Sequence, residues 1–145
     1  MEQIPEASLS RNQIGDPRRA ILVVDDETPM LRLLEGTFSE HGYTVFTAAD
    51  GEEAIKNYCR HKSEIDVVFL DVGLPKVKGA DVLHKIKGEN PAVRVVVSSG
   101  FFEPELRTEM QRAGVEHFIE KPYMLDDVVK TIQNIIELAE ALSER

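Results

Sequence analysis

Cysteine is almost absent: Cys59 is the only one in 145 residues. A single thiol can form neither an intramolecular disulfide framework nor a cysteine-based zinc site. Long apolar runs are missing too. None approaches the ~18 residues that a membrane-spanning helix needs, and the N-terminus lacks the apolar core of a signal peptide. Basic residues are outnumbered: 17 lysines and arginines face 26 acids, a formal net charge of −9. Nonspecific binding to nucleic acid wants a basic stripe, so this balance argues against direct nucleic-acid contact. No G-x-G-x-x-G or G-x-x-x-x-G-K-[ST] loop follows the first apolar run, where Asp25-Asp26 would repel phosphates instead. The four histidines, His41, His61, His84 and His117, include no pair at metal-ligand spacing on one helix, and they read as surface or element-end residues. A reducing cytoplasm is the expected setting, without a membrane partner, for the chain alone or as part of something larger.

What is present is an ordinary globular composition, 42% hydrophobic and 30% charged, in a length that fits one domain with a sizeable core. Residues 1–18 are polar and irregular and are expected to be a flexible tail or linker. The folded domain is expected over 19–145. Apolar, β-prone runs then stop at polar residues. Ala20–Val24 stops at Asp25-Asp26, 65–70 at Asp71, 93–97 at Ser98-Ser99, and His117–Glu120 at Lys121. Runs of this kind read as buried strands. A further strand is expected over 43–47.

Helical patterns separate the runs. Thr28 is a candidate cap, with Pro29 at the first helical position, and Gly42 ends that element. Asp50-Gly51 opens a second helix, on which Cys59 reads as a small packing residue. A third helix is expected over 79–87 and a fourth over 103–113, with Leu106, Met110 and Ala113 on one face. The last, over 125–142, carries a broad apolar stripe from Leu125 to Ala139. Phe101 and Phe102 are expected either to be partly exposed for partner recognition or to wedge under the fourth helix.

Strand–helix alternation implies a parallel sheet with helices on both faces and right-handed crossovers. The expected fold is a flavodoxin-like α/β doubly wound open sheet in strand order 2-1-3-4-5, with its crevice between strands one and three. Ligands bind at the carboxyl ends of such strands. Asp25, Asp26, Asp71, Ser99 and Lys121 should therefore converge. Like charges ~4 Å apart repel by about 4 kcal/mol at an effective dielectric of 20. A divalent cation is the ordinary remedy, and the set points to metal-assisted phosphoryl chemistry on an aspartate.

The motifs Val-Val-Asp25-Asp26-Glu27, Asp71-Val-Gly-Leu-Pro75, Val-Ser98-Ser99-Gly100 and Lys121-Pro122 resemble, in order and spacing, those of two-component response regulator receiver domains, over about residues 20–142. The resemblance implies that Asp71 is the phosphoacceptor. It implies that Asp26, Asp71 and the Gly73 carbonyl bind Mg²⁺ directly, and Asp25 through a water. Lys121 would pair with phosphoryl oxygens, aimed by a cis bond to Pro122. Ser99 would be the switch hydroxyl, with Ser98 its rival, and Phe118 the partner aromatic. Glu27 reads as acidic surface. Implied partners are a histidine kinase or histidine phosphotransfer protein as donor and a downstream protein effector on the α4-β5-α5 face, with a phosphorylation-dependent dimer a further expectation. Ending after its last helix, the chain is expected to be a stand-alone receiver or one cut from a larger protein such as a hybrid kinase. The expected role is a signalling switch with intrinsic Mg²⁺-dependent autophosphorylation from small donors and autodephosphorylation. The alternative is an aspartate-nucleophile phosphatase of α/β fold. Those of the haloacid dehalogenase type want an acid two residues after the nucleophile, where Gly73 stands. Gly73 and the bulky Phe101 also leave nothing to orient an attacking water, which predicts a long-lived aspartyl phosphate.

Overall fold

The computed structural model describes residues 17–73 and 78–143. Residues 1–16 of the expected tail lie outside the described residues, as do Leu74 and Pro75. The elements in chain order are β1 (Ala20–Val24), α1 (Thr28–Glu40), β2 (Thr44–Ala48), α2 (Gly51–His61), β3 (Ile65–Asp71), α3 (Gly79–Glu89), β4 (Arg94–Ser99), α4 (Pro104–Arg112), β5 (His117–Glu120) and α5 (Leu125–Ser143). The strands pair in parallel in the order β2-β1-β3-β4-β5, as expected.

Both faces of the sheet are covered, and each central strand shares its side chains between two cores by simple alternation. Leu22, Val24, Val68, Leu70, Val95 and Val97 point to one core, closed by Tyr58 of α2, Leu83 and Ile86 of α3, and Met110 of α4. Ile21, Val23, Val67, Phe69 and Val96 point to the other, closed by Leu34 and Phe38 of α1 and by Val128 and Ile132 of α5. Burying such a side chain stabilises the fold by roughly 1.5–3 kcal/mol. At the amino end of the sheet Arg19 bonds Asp66 of β3 (3.4 Å) and Glu140 of α5 (2.9 Å), which staples the end of α5 to the strands.

The elements begin and end for local reasons. Asp50 caps α2 by accepting the Glu53 N–H at 2.8 Å. Gly42 (φ 94°) and Gly114 (φ 101°) follow α1 and α4 in the left-handed region that glycine adopts without strain. Two local expectations are corrected. Thr28 is not the cap of α1: it is the first helical residue, Glu27 holds the cap position, and no side chain caps there. The Glu27 N–H is donated to the nearby Asp25 carboxylate (2.9 Å). Cys59 is exposed rather than packed. The buried face of α2 is set by Ala54 and Tyr58, four residues apart, and the next residue is turned about 100° away from it.

Candidate functional site

The carboxyl ends of the strands carry the chemistry. Val24 of β1 pairs with Leu70 of β3, so Asp25 and Asp71 leave the sheet side by side. The sheet still holds the backbone here: Asp25 donates its N–H to Ala48 (3.1 Å), and Val72 donates to Ser98 (3.0 Å). On the other side Ser99 pairs with Glu120, and Lys121 donates its N–H to Ser99 at 2.8 Å. The Lys121–Pro122 peptide is cis, as expected.

Asp25 and Asp71 are only 2% and 5% exposed, whereas Asp26 is exposed. Each of the three offers a carboxylate oxygen within 4.8 Å of the others. Octahedral Mg²⁺ takes oxygen ligands that lie roughly 3–4 Å from one another, so this all-oxygen donor set fits that ion after a small closure. Nitrogen and sulfur donors, which would favour zinc, are absent from the cluster.

The two buried acids are satisfied in the same way. One oxygen of each accepts a nearby backbone N–H, from Glu27 to Asp25 and from Gly73 to Asp71, both at 2.9 Å. The other oxygen faces the Lys121 ammonium, at 3.4 Å from Asp25 and 3.2 Å from Asp71. Burial raises the Asp25 carboxyl above the ordinary carboxylate range, against the opposing pull of the Glu27 N–H and the Lys121 charge. Burial works against the Lys121 ammonium, but Asp71 and Asp25 outweigh it and hold this lysine above its ordinary value.

The expected switch residues lie beside this centre. Ser98 is buried and stands opposite Asp71 across the β3–β4 pair. The Ser99 hydroxyl donates to the Phe101 carbonyl at 2.9 Å, so in this arrangement it is engaged with its own loop rather than with Asp71. The two phenylalanines that follow differ in exposure. Phe101 is 68% exposed, while Phe102 is buried. Phe102 meets the half-buried Phe118 edge-on, with ring centroids 5.3 Å apart.

Three residues around this centre and its expected switch aromatic were not legible in the sequence. Glu27, read as plain acidic surface, approaches Lys121 at 3.6 Å. Its place beside the acid pair was the available signal. Tyr123, two residues past Lys121, lies against Phe69, with a buried hydroxyl that finds no protein partner among the described residues. Burial, with the Asp25 charge adding, pushes that hydroxyl up to about 12. Arg107 of α4 lays its guanidinium over the Phe118 ring at 4.3 Å, and no spacing rule links a helix residue to a strand residue in this way.

Comparison with known proteins converges on one family. A family profile described as the response regulator receiver domain matches residues 21–133. The probable transcriptional regulatory protein TcrX of Mycobacterium tuberculosis is 34% identical over 116 residues, covering 80% of this chain and 49% of TcrX. The chemotaxis protein CheY of Thermotoga maritima is 29% identical over 118 residues, covering 81% of this chain and 97% of CheY. A solved CheX-CheY-BeF3-Mg+2 complex from Borrelia burgdorferi contains a chain that is 31% identical with a TM-score of 0.75, covering 81% of this chain and 88% of that one. This chain thus spans about half the length of the transcriptional regulators it matches and nearly all of the chemotaxis protein. With its sheet order, its acidic centre and its match over 21–133, the chain belongs to the response regulator receiver domain family, the phosphoacceptor module of two-component signalling.

Proposed function

We propose that Asp71 is the phosphoacceptor and that residues 19–145 act as a signalling switch. The observation that carries this reading is the convergence of Asp71 and Asp25, both buried, with Asp26 and the Lys121 ammonium at the mouth of the sheet. A carboxylate oxygen of Asp71 attacks the phosphorus of a phosphohistidine on a histidine kinase or phosphotransfer protein. The phosphorus–nitrogen bond breaks, the bonding pair stays on the imidazole nitrogen, and an acyl phosphate forms. Lys121 then meets the incoming phosphoryl oxygens with a compact charge. Asp26, Asp71 and the Gly73 carbonyl would hold Mg²⁺, with Asp25 acting through a water. When bound, Mg²⁺ neutralises charge on the transferring group. The Mg+2 named in the Borrelia complex supports the choice of ion.

Phosphorylation then favours one of two states of Ser99 and Phe118. The readout face is α4-β5-α5, and exposed Phe101 and Met124, in the loops that lead into α4 and α5, offer apolar contacts to a protein effector or to a second copy of the chain. A histidine-kinase donor implies a cytoplasmic setting. The phosphatase alternative finds no acid at Gly73, and family membership favours the switch. The test is intact mass after incubation with acetyl phosphate, with and without Mg²⁺, beside Asp71→Asn. A phosphoryl-sized gain that requires both Mg²⁺ and Asp71 is the expected result. No adduct in any arm, with rapid turnover excluded by quenching, would overturn the assignment.

A further inference from the structure

Arg107 has no role in the phosphoacceptor centre, yet its placement is specific. Its guanidinium carbon stands 4.3 Å from the Phe118 ring centroid and 5.9 Å from that of Phe102. The two rings are themselves perpendicular at 5.3 Å. A cation over an aromatic face is attracted by the ring quadrupole, and edge-to-face rings are favoured for the same reason. Three side chains from three elements thus form one closed cluster: α4 supplies Arg107, β5 supplies Phe118, and the loop before α4 supplies Phe102.

That loop also carries the Ser99 contact. The Ser99 hydroxyl is held by Phe101, next in sequence to Phe102, and accepts the Phe101 N–H at 3.3 Å while donating to its carbonyl. Turning Ser99 toward Asp71 breaks these bonds and frees the segment on which Phe102 rides. The Arg107–Phe118–Phe102 cluster therefore belongs to the arrangement in which Ser99 is turned away from the phosphoacceptor.

We infer that Arg107 is a latch on Phe118. It stabilises the unphosphorylated arrangement and so sets the threshold of the switch. The inference rests on the reading of Ser99 and Phe118 as switch residues. Arg107 is a positioning residue: it touches neither Asp71 nor the acid cluster, and it acts only through the aromatic. A contact that favours one of two states shifts their ratio by its own strength. For a cation over an aromatic ring at an exposed position, the shift is about two- to fivefold.

The experiment titrates the full chain with beryllofluoride in excess Mg²⁺, a stable mimic of the phosphoryl group, and follows the aromatic ring signals by NMR. Arg107→Gln, which keeps a polar stem and removes the charge, is expected to bind about two- to fivefold more tightly than wild type. Its Phe118 ring signals should already be displaced toward their bound positions before ligand is added. Arg107→Lys, which restores a cation without the planar group, should fall between the two. In a Phe118→Leu background, Arg107→Gln should have no further effect on affinity.

Equal affinity of wild type and Arg107→Gln overturns the latch. So does the same gain in the Phe118→Leu background, which would mark Arg107 as a remote charge acting on the anion. Wild type that binds no beryllofluoride would instead overturn the switch reading itself, and the latch with it. The first two results leave wild-type binding intact, so the failures are distinguishable.

Discussion

Burial works against the charge of Asp25. Its carboxyl is raised by burial, so the folded protein binds this proton more tightly than the unfolded chain does. Between the ordinary value of 3.8 and the raised one, stability falls as pH rises, and the penalty stays in full at neutral pH. Asp25→Asn keeps an acceptor for the Glu27 N–H and leaves Lys121 paired with Asp71. Metal-free Asp25→Asn should therefore melt higher than wild type at neutral pH, and the gap should close as pH falls below the carboxylate range. Lower melting at neutral pH would contradict this. The variant should also lose Mg²⁺ affinity, since strain at a functional site is often the counterpart of its activity. Nearby, Phe101 is exposed, and a Cβ at Gly73 would sit 3.4 Å from the Asp71 carboxylate, within ordinary contact. Both positions can thus accept a smaller or polar group without repacking. Phe101→Ala or Gly73→Asn should shorten the life of the aspartyl phosphate, measured as loss of the phosphoryl mass over time. Unchanged decay in both variants would show that water access is governed elsewhere.

At the scale of elements, periodicity carried most of the information. Continuous apolar runs in the strands and the apolar stripe of α5 placed these elements to within a residue or two, because strands buried on both faces are apolar on both sides. The acid cluster was legible for the same reason: strand ends in a known order must lie together. What escaped depends on rotamers and on contacts across elements. The Ser99 hydroxyl chooses Phe101 over Asp71, and Arg107 finds Phe118 across a helix–strand boundary, and no local pattern encodes either choice. A close approach between elements escaped too. A Cβ on Gly79, the first residue of α3, would lie 2.5 Å from the Cα of Val72. Backbone cannot yield as a flexible side chain would, so α3 is pressed against the loop that carries the Gly73 N–H to Asp71. Gly79→Ala should destabilise the domain by about 1–3 kcal/mol, as overpacking does, in denaturant titration. A neutral result would mean that the loop gives way easily.

For the whole molecule, Lys121 acts as an internal counter-ion. Its ammonium lies within hydrogen-bonding distance of both buried carboxylates, so the fold does not depend on a divalent ion to relieve their repulsion. Chelation should leave the circular dichroism spectrum unchanged. It should reduce stability only by binding linkage, about 1.4 kcal/mol when free Mg²⁺ had stood at tenfold its Kd. Loss of helical signal on chelation would show that the lysine is insufficient. Lys121 keeps this role across neutral and moderately alkaline conditions. Its raised proton affinity makes its contribution complete below its ordinary value of 10.5, and the contribution is lost only as pH rises beyond that.

The position of β5 has a kinetic meaning as well. It is four residues long and pairs with β4 alone, whereas β1 and β3 are flanked on both sides. Local opening is easiest where fewest neighbours must be broken. Amide hydrogens of β5 should exchange with solvent sooner than those of β1 and β3, and equal protection would contradict this. Phosphate would then be accepted on the slowest-opening part of the sheet and reported from its margin, so that the reporting strand can rearrange without unfolding the strands that hold the acids.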